Sequence, residues 1–385
     1  MNQFEKARSQ FPAAMDRTYL DAAARSPMSD RVRAAIEAYL DVRQRSLDDK
    51  HEWLAKVDSA RAKVASLIGA APDDIAFTKN TSHGLTSVIA ALPWRDGDNV
   101  VIAPDFEHPN NVYAWLPLRR RGIMVKTLPL AGPVVTVDQL AAACDDRTRA
   151  IGIASVSFAT GGRLDLDALA RFSAERGIFL LVDAVQSLGL MPIDVGRTPL
   201  NALAAATSKG LLGLYGLGVL YCRDAAALHP AGLSRFGVDW GEEREYVMGD
   251  EDYELLPGAK RFDLGNPNYL AIHALDAALD QIQEVGVANI QRHVLGLAGA
   301  LTEGLAGLGC RLVSSLEPGT MSHVVVFNPP AGGPDSAEVS RLLNAEGIRH
   351  TIRRFGLRLS FHMYNNQADV DRVLAVLARI LGRRA

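Results

Sequence analysis

Three residue types in this sequence do little separately and suit one chemistry together. Asp183 ends the apolar run FLLV, residues 179–182, and Gln186 follows three positions later. An apolar run of this kind reads as a buried strand. In open sheets of parallel strands, ligands sit beyond the carboxyl ends, which is where Asp183 falls. Lys209 lies further on, between LNALAAATS and GLLGLYGLGVLY, two stretches almost free of charge. An amine in such surroundings loses hydration; its pKa falls, and it becomes a nucleophile toward an aldehyde. Taken singly, an aspartate at a strand end is commonly a helix cap and a lysine after a strand is commonly a solvated turn residue.

The combination fits a cofactor with an aldehyde and a pyridine ring. Lys209 would hold the aldehyde as a Schiff base, and Asp183 would keep the ring nitrogen protonated, which makes the ring a better electron sink. Gln186 would donate to a ring oxygen. Such a cofactor, pyridoxal phosphate, also needs a phosphate site, and helix N-termini provide one. The segment TKNTSHG, residues 78–84, runs from a strand into a helix and offers Thr81, Ser82 and His83 at the helix start. His108, just beyond the strand-like NVVIAP, is placed to stack on a ring.

These residues require a scaffold, and the rest of the chain supplies its pattern. Short apolar runs (DIAFT, NVVIAP, RAIGIASVSF, GIFLLVDAV, GVLYCR) alternate with helical segments. That pattern predicts an α/β fold with a mostly parallel sheet covered on both faces. From about Asn268 the order changes to a long helix, a second helix, strand candidates CRLVSS and HVVVFNP, the helix SAEVSRLLNAEG, the strand GLRLSFH and a last helix, QADVDRVLAVLARILG. This predicts a smaller α+β domain. The expected division is a segment 1–18, a large cofactor-binding domain 19–265 and a small domain 266–385.

Composition narrows the functional classes. Across 385 residues, 48% hydrophobic and 22% charged, the formal net charge is −3, so no broad basic field points to nucleic acid or an anionic membrane. No apolar stretch approaches the roughly 20 residues of a membrane helix. The three cysteines, Cys144, Cys222 and Cys310, show no close pairing, which suits a reducing cytoplasm and neither a disulfide framework nor a zinc knuckle. The first residues lack the apolar core of a signal peptide. Only eight of the 41 basic residues are lysine, which shortens the search for an amine nucleophile. GLLGLYGLG does not match a dinucleotide fingerprint, and neither H-E-x-x-H nor G-x-S-x-G occurs.

Seven segments, in order, resemble the class V aminotransferase family of pyridoxal-phosphate enzymes, which includes cysteine desulfurases, selenocysteine lyases and isopenicillin N epimerase-like proteins. They are YLDAAARSP (19–27), TKNTSHG, EHPNN (107–111), VDAVQSLG (182–189), SKGLLGLYGLGVLY (208–221), RFDLGNPN (261–268) and LRLSFHMYNNQ (357–367). The resemblance implies fold type I: a large domain with a seven-stranded mixed sheet, a smaller C-terminal domain, and a homodimer with sites at its interface. It implies Lys209 as the Schiff-base lysine, Asp183 at the pyridine nitrogen, Gln186 at the phenolic oxygen and His108 on the ring. Phosphate would be held by Thr81, Ser82 and Ser208 of one subunit and by Asn266 of the other, with His83 in the same loop. Arg358 would bind the substrate α-carboxylate through two donors, a task that suits arginine. Arg25, Arg353 and Arg354 lie in segments expected near the substrate and suggest a further anionic or polar group on it.

The departures are informative. Desulfurases of the family carry a cysteine on a loop just before the Arg-x-Ser segment; here GIRHTIRRFGLRLS contains none. Ser208 replaces the usual histidine before the lysine, Phe158 stands about where desulfurases have asparagine, and His83 stands where many have glutamate. The first reading is therefore a carbon–sulfur lyase or desulfurase-like enzyme without a cysteine relay, acting on an α-amino acid. An aminotransferase or epimerase of amino-acid or secondary metabolism is the alternative, and a non-catalytic scaffold the remote one. No metal is expected.

Overall fold

A computed structural model describes residues 2–45, 49–239 and 253–382. Its centre is a sheet of β1 (Ile75–Thr78), β2 (Asn99–Ile102), β3 (Met124–Thr127), β4 (Thr148–Ala154), β5 (Phe179–Asp183), β6 (Ala202–Ala206) and β7 (Gly218–Cys222). The spatial order is β1-β7-β6-β5-β4-β2-β3. All neighbours are parallel except β7, which runs antiparallel to both β1 and β6. The interior strands are buried on both faces, as the unbroken apolar runs require. Edge strand β3 alternates in burial instead, a weaker sequence pattern than an unbroken apolar run. β6 is alanine-rich, a composition that favours helix in isolation. It is a strand because the helix Thr81–Ala91 lies close over it: a Cβ on Gly84 would sit 3.0 Å from that of Ala204.

The C-terminal part builds a second sheet of β8 (Arg311–Leu312), β9 (Val324–Asn328), β10 (Thr351–Arg353) and β11 (Gly356–Ser360), in the order β8-β9-β11-β10, all antiparallel. The helices Val287–Gly307, Ser336–Ala345 and Gln367–Ile380 pack with it. The helix Tyr269–Val285, capped by Asn268, packs instead against the early helices Asp30–Arg45 and Lys50–Ile68. The strands β10 and β11 form a hairpin in which Arg353 lies opposite Gly356, leaving only Arg354 and Phe355 in the turn. Gly356 cannot be larger, since a Cβ there would meet the Phe327 carbonyl oxygen at 2.4 Å.

The N-terminal segment joins these two bodies. Thr18 and Tyr19 pair in parallel with Ile348 and Arg349, and the Ser360 amide donates to the Leu20 carbonyl. The Ala23 amide then donates to Ser360 Oγ at 2.8 Å, while its carbonyl accepts from Gln186 Nε2 at 3.0 Å. The Ser26 amide reaches the Ser208 carbonyl, next to Lys209. Among the described residues no helix is long and apolar enough to cross a membrane.

Arg8 fixes the start of this segment to the small domain. Its Nη1 donates at 2.7 Å to both Asp369 and the Tyr364 carbonyl, and Nη2 donates to the Ala14 carbonyl. Asp369 is almost fully buried, so removing its partner leaves a buried carboxylate poorly compensated. Arg8→Ala is expected to cost about 2 kcal/mol in urea unfolding, with Arg8→Lys recovering part of the loss.

Candidate active site

The carboxyl ends of the large sheet converge on one cleft of about 640 Å³. Asp183 is the last residue of β5, and Lys209 lies three residues beyond the parallel neighbour β6. Thr81 and Ser82 follow β1 at the start of the helix Thr81–Ala91, His108 follows β2, and Phe158 follows β4. All of these line the cleft, together with Ser208, Arg25 and Arg353.

The loops bearing the acid and the amine touch backbone to backbone. A Cβ on Gly189 would lie 2.3 Å from the Gly210 carbonyl oxygen, and one on Gly210 would lie 2.3 Å from that of Leu188. From the small domain, His362 contacts the Gly210 carbonyl through Nε2 at 3.0 Å. Its Nδ1 accepts the Met363 amide, so Nε2 carries the proton and donates. Leu212, whose amide donates to the Lys209 carbonyl, is held at φ 58°, a left-handed conformation costly for a leucine.

Burial sets the electrostatics. It lowers the Lys209 amine to about 8; Asp183 opposes the shift, and Arg358 and Arg353 add to it. Burial also raises Asp183, while the Val185 amide, donating to Oδ1 at 3.0 Å, and Lys209 pull it back. His108 is lowered to about 4 by burial and by the positive charges of Lys209, Arg353 and Arg358. Its Nδ1 accepts the Asn110 amide at 3.1 Å, so the neutral ring keeps its proton on Nε2. Its ring meets that of Phe158 edge-on at 4.6 Å.

Several buried donors lack protein partners, and they mark where a ligand fits. Arg358 is fully buried; Nη1 donates to the Phe158 carbonyl at 3.2 Å, while Nε and Nη2 bond to nothing. Ser208 Oγ is likewise buried and unpartnered. Buried donors of this kind are costly unless a ligand takes them up. Gln186 is buried and spends one amide hydrogen on Ala23, leaving the second.

Gln186 and Arg358 lie buried just behind the cleft wall, against the lining residues Ala23 and Phe158; three further expected residues are directed elsewhere. His83 is rotated away from Thr81 along the helix; its Nδ1 accepts the Lys79 amide, and it lines a separate hollow. Asn266 lines that same hollow and accepts from Tyr269 Oη. Arg354 is exposed and ion-paired with Asp105. Strand alternation explains this last placement: Arg349, Thr351 and Arg353 face the cleft, and Ile352 and Arg354 face away.

Sequence reasoning passed over Asp21, Arg349 and Glu107. Arg349 Nε donates to the buried Asp21 carboxylate at 3.2 Å beside the cleft. Glu107 lies behind Asp183 and accepts from the Ala154 amide and from Asn111 Nδ2, both at 2.7 Å. Burial, with Asp183 adding, pushes it up to about 8. The available signals were the acid in YLDAAA, the odd-residue spacing of RHTIR, and the acid in EHPNN.

The family model described as Aminotransferase class-V matches residues 18–373. The chain belongs to the class V aminotransferase family. Its members are pyridoxal-phosphate enzymes, and the cleft's residues fit that cofactor. A probable cysteine desulfurase of Methanothermobacter thermautotrophicus is 29% identical, over 98% of this chain and 98% of its own length. An uncharacterized aminotransferase of Bacillus subtilis, YcbU, is 28% identical over 97% of both chains. The apo cysteine desulfurase of Thermococcus onnurineus NA1 superposes with a TM-score of 0.88 at 25% identity, covering 98% of each chain.

The depressed amine can be measured directly. In cofactor-free protein, acylation of Lys209 followed by peptide mass spectrometry should rise with pH around a midpoint of about 8, below the ordinary lysine value of about 10.4. Asp183→Asn removes the charge that favours the ammonium form, so the midpoint should fall further. A midpoint in the ordinary range would mean that the amine is solvated.

Proposed function

We propose that the protein is a carbon–sulfur lyase: it acts on an α-amino acid bearing a sulfur substituent at Cβ and releases the sulfur product without storing it on a protein cysteine. The single observation that carries this reading is the Arg354–Phe355 turn. Where a sulfur-accepting loop would be expected, the chain crosses directly from β10 to β11, and no cysteine lines the cleft among the described residues. Cys222 and Cys310 are buried, and Cys144 lies elsewhere.

In this reading Lys209 would hold the cofactor covalently, Asp183 would keep its ring nitrogen protonated, and Gln186 would offer its remaining amide hydrogen to the ring oxygen. Thr81, Ser82 and Ser208 take the phosphate at the start of an eleven-residue helix. Asn266 is outside its own cleft, which suits a homodimer in which it reaches the phosphate of the other subunit. When bound, the cofactor supplies an electron sink for negative charge developing at the substrate Cα. The free donors of Arg358 bind the substrate carboxylate as a fork. The Lys209 amine, which burial lowers to about 8 when it is free of the cofactor, would remove the Cα proton once the substrate's amino group has taken its place. His108, neutral with its proton on Nε2, would donate a hydrogen bond to a departing thiolate, and the Lys209 ammonium left by Cα deprotonation would supply the proton.

The relative named as an aminotransferase supports a second reading, in which the amino group passes to a keto acid. Incubation of the holoenzyme with S-substituted cysteines separates them. Release of keto acid, ammonium and thiol in equal amounts without an added keto acid is expected; strict dependence on an acceptor keto acid would favour transamination. Mass spectrometry during turnover should detect no persulfide on Cys144, Cys222 or Cys310. Lys209→Ala should lower turnover by at least about a hundredfold.

A further inference from the structure

Among the cleft's cations, Arg25 and Arg353 have no carboxylate ion pair among the described residues, and Arg353 is the one that shares a strand face and an aromatic ring with Arg358. Arg349 is paired with Asp21. Lys209 faces Asp183. In the reading above, Arg358 takes the α-carboxylate, and the helix start with its hydroxyl groups takes the phosphate. Arg353 remains. Its Nη1 donates only to the neighbouring Ile352 carbonyl, at 3.0 Å, and its Nε is buried without a partner. Among the described residues no carboxylate forms an ion pair with it. Arg354, the next residue, is by contrast paired on the outer face.

The position of Arg353 is built by the hairpin. Thr351 lies opposite Arg358 and Arg353 opposite Gly356, so both arginines project from the same face. Gly356 places no side chain beside Arg353. Both guanidinium groups lie against one ring: the Cζ of Arg358 is 4.9 Å, and that of Arg353 5.5 Å, from the centroid of Phe158. The ring face stabilises the two cations and fixes their directions. The charge of Arg353 is felt at Lys209, His108 and Arg358, and weakly at the Asp21 carboxyl, on which Arg358 and Arg349 act more strongly. Two like charges converging on a partly buried cleft are stabilised when two anions arrive.

We propose that Arg353 binds a second acidic group on the substrate, so that the preferred substrates are amino acids whose side chain ends in a carboxylate. The proposal rests on the amino-acid reading of the cleft, and it is independent of which bond is then broken. Arg353 would act in specificity, with Arg358 orienting the α-carboxylate.

The test uses holoenzyme and isosteric pairs: S-carboxymethyl-L-cysteine against S-carbamoylmethyl-L-cysteine, and L-glutamate against L-glutamine. Dissociation constants are read from the visible absorbance of the bound cofactor. The acid of each pair should bind about ten- to a hundredfold more tightly, the range expected for a charged hydrogen-bonded partner. Arg353→Gln should remove that preference while leaving the neutral member unchanged. Arg353→Lys should retain part of it, and Arg354→Gln all of it. Equal affinities in the unmodified enzyme, a preference that survives Arg353→Gln, or equal weakening of both members would overturn the proposal. The binding measurement does not require elimination. Selective binding without keto-acid release would sink the lyase reading alone, and keto-acid release without selectivity would sink the role of Arg353 alone.

Discussion

One amine and one carboxyl, desolvated at the ends of two adjacent parallel strands, set the terms for the rest of this molecule. Neither Lys209 nor Asp183 has its ordinary proton affinity there, because the surrounding strands and loops replace water. Each partly compensates the other. The contact between Gly189 and Gly210 keeps the loops that carry them together. A larger residue at either glycine would separate the pair, and the amine and acid would each revert toward a solvated titration. The uncharged run around Lys209 is thus a condition for its reactivity.

The sheet and its central pair were legible because they interrupt strong patterns. A charge at the end of a continuous apolar run is conspicuous, and so is a lysine within some twenty uncharged residues. What was not legible depends on the parity and pairing of short strands. RHTIRR offers four basic residues in a row of six, and only the register of β10 against β11 distinguishes Arg353 from Arg354. The pairing of Asp21 with Arg349 spans most of the chain and leaves no local trace. His83 shows the converse limit: the phosphate segment was recognisable as a helix start, but a rotation of roughly 100° per residue decides which side chains face the cleft.

The neighbourhood of Phe158 explains how so many positive groups tolerate one another. The His108 ring meets that of Phe158 at a near right angle, and the guanidinium carbons of two arginines lie over it. An aromatic side chain is one of few that can accept cations without neutralising them. An asparagine in its place would offer a hydrogen bond to one group, and a carboxylate would cancel the charge altogether. The cleft therefore remains electropositive toward an incoming anion while its walls stay ordered.

The backbone of Ala23 has a mechanical consequence. Its nitrogen is tied to Ser360 on the small domain, and its carbonyl is tied to Gln186 on the large one. A rocking of one body over the other cannot be absorbed gradually along the chain, because both anchors sit on a single residue. It must either break one of these two bonds or drag the glutamine with it. The strap thus acts as a latch whose release would be felt simultaneously at the strand carrying Ser360 and Arg358 and at Gln186.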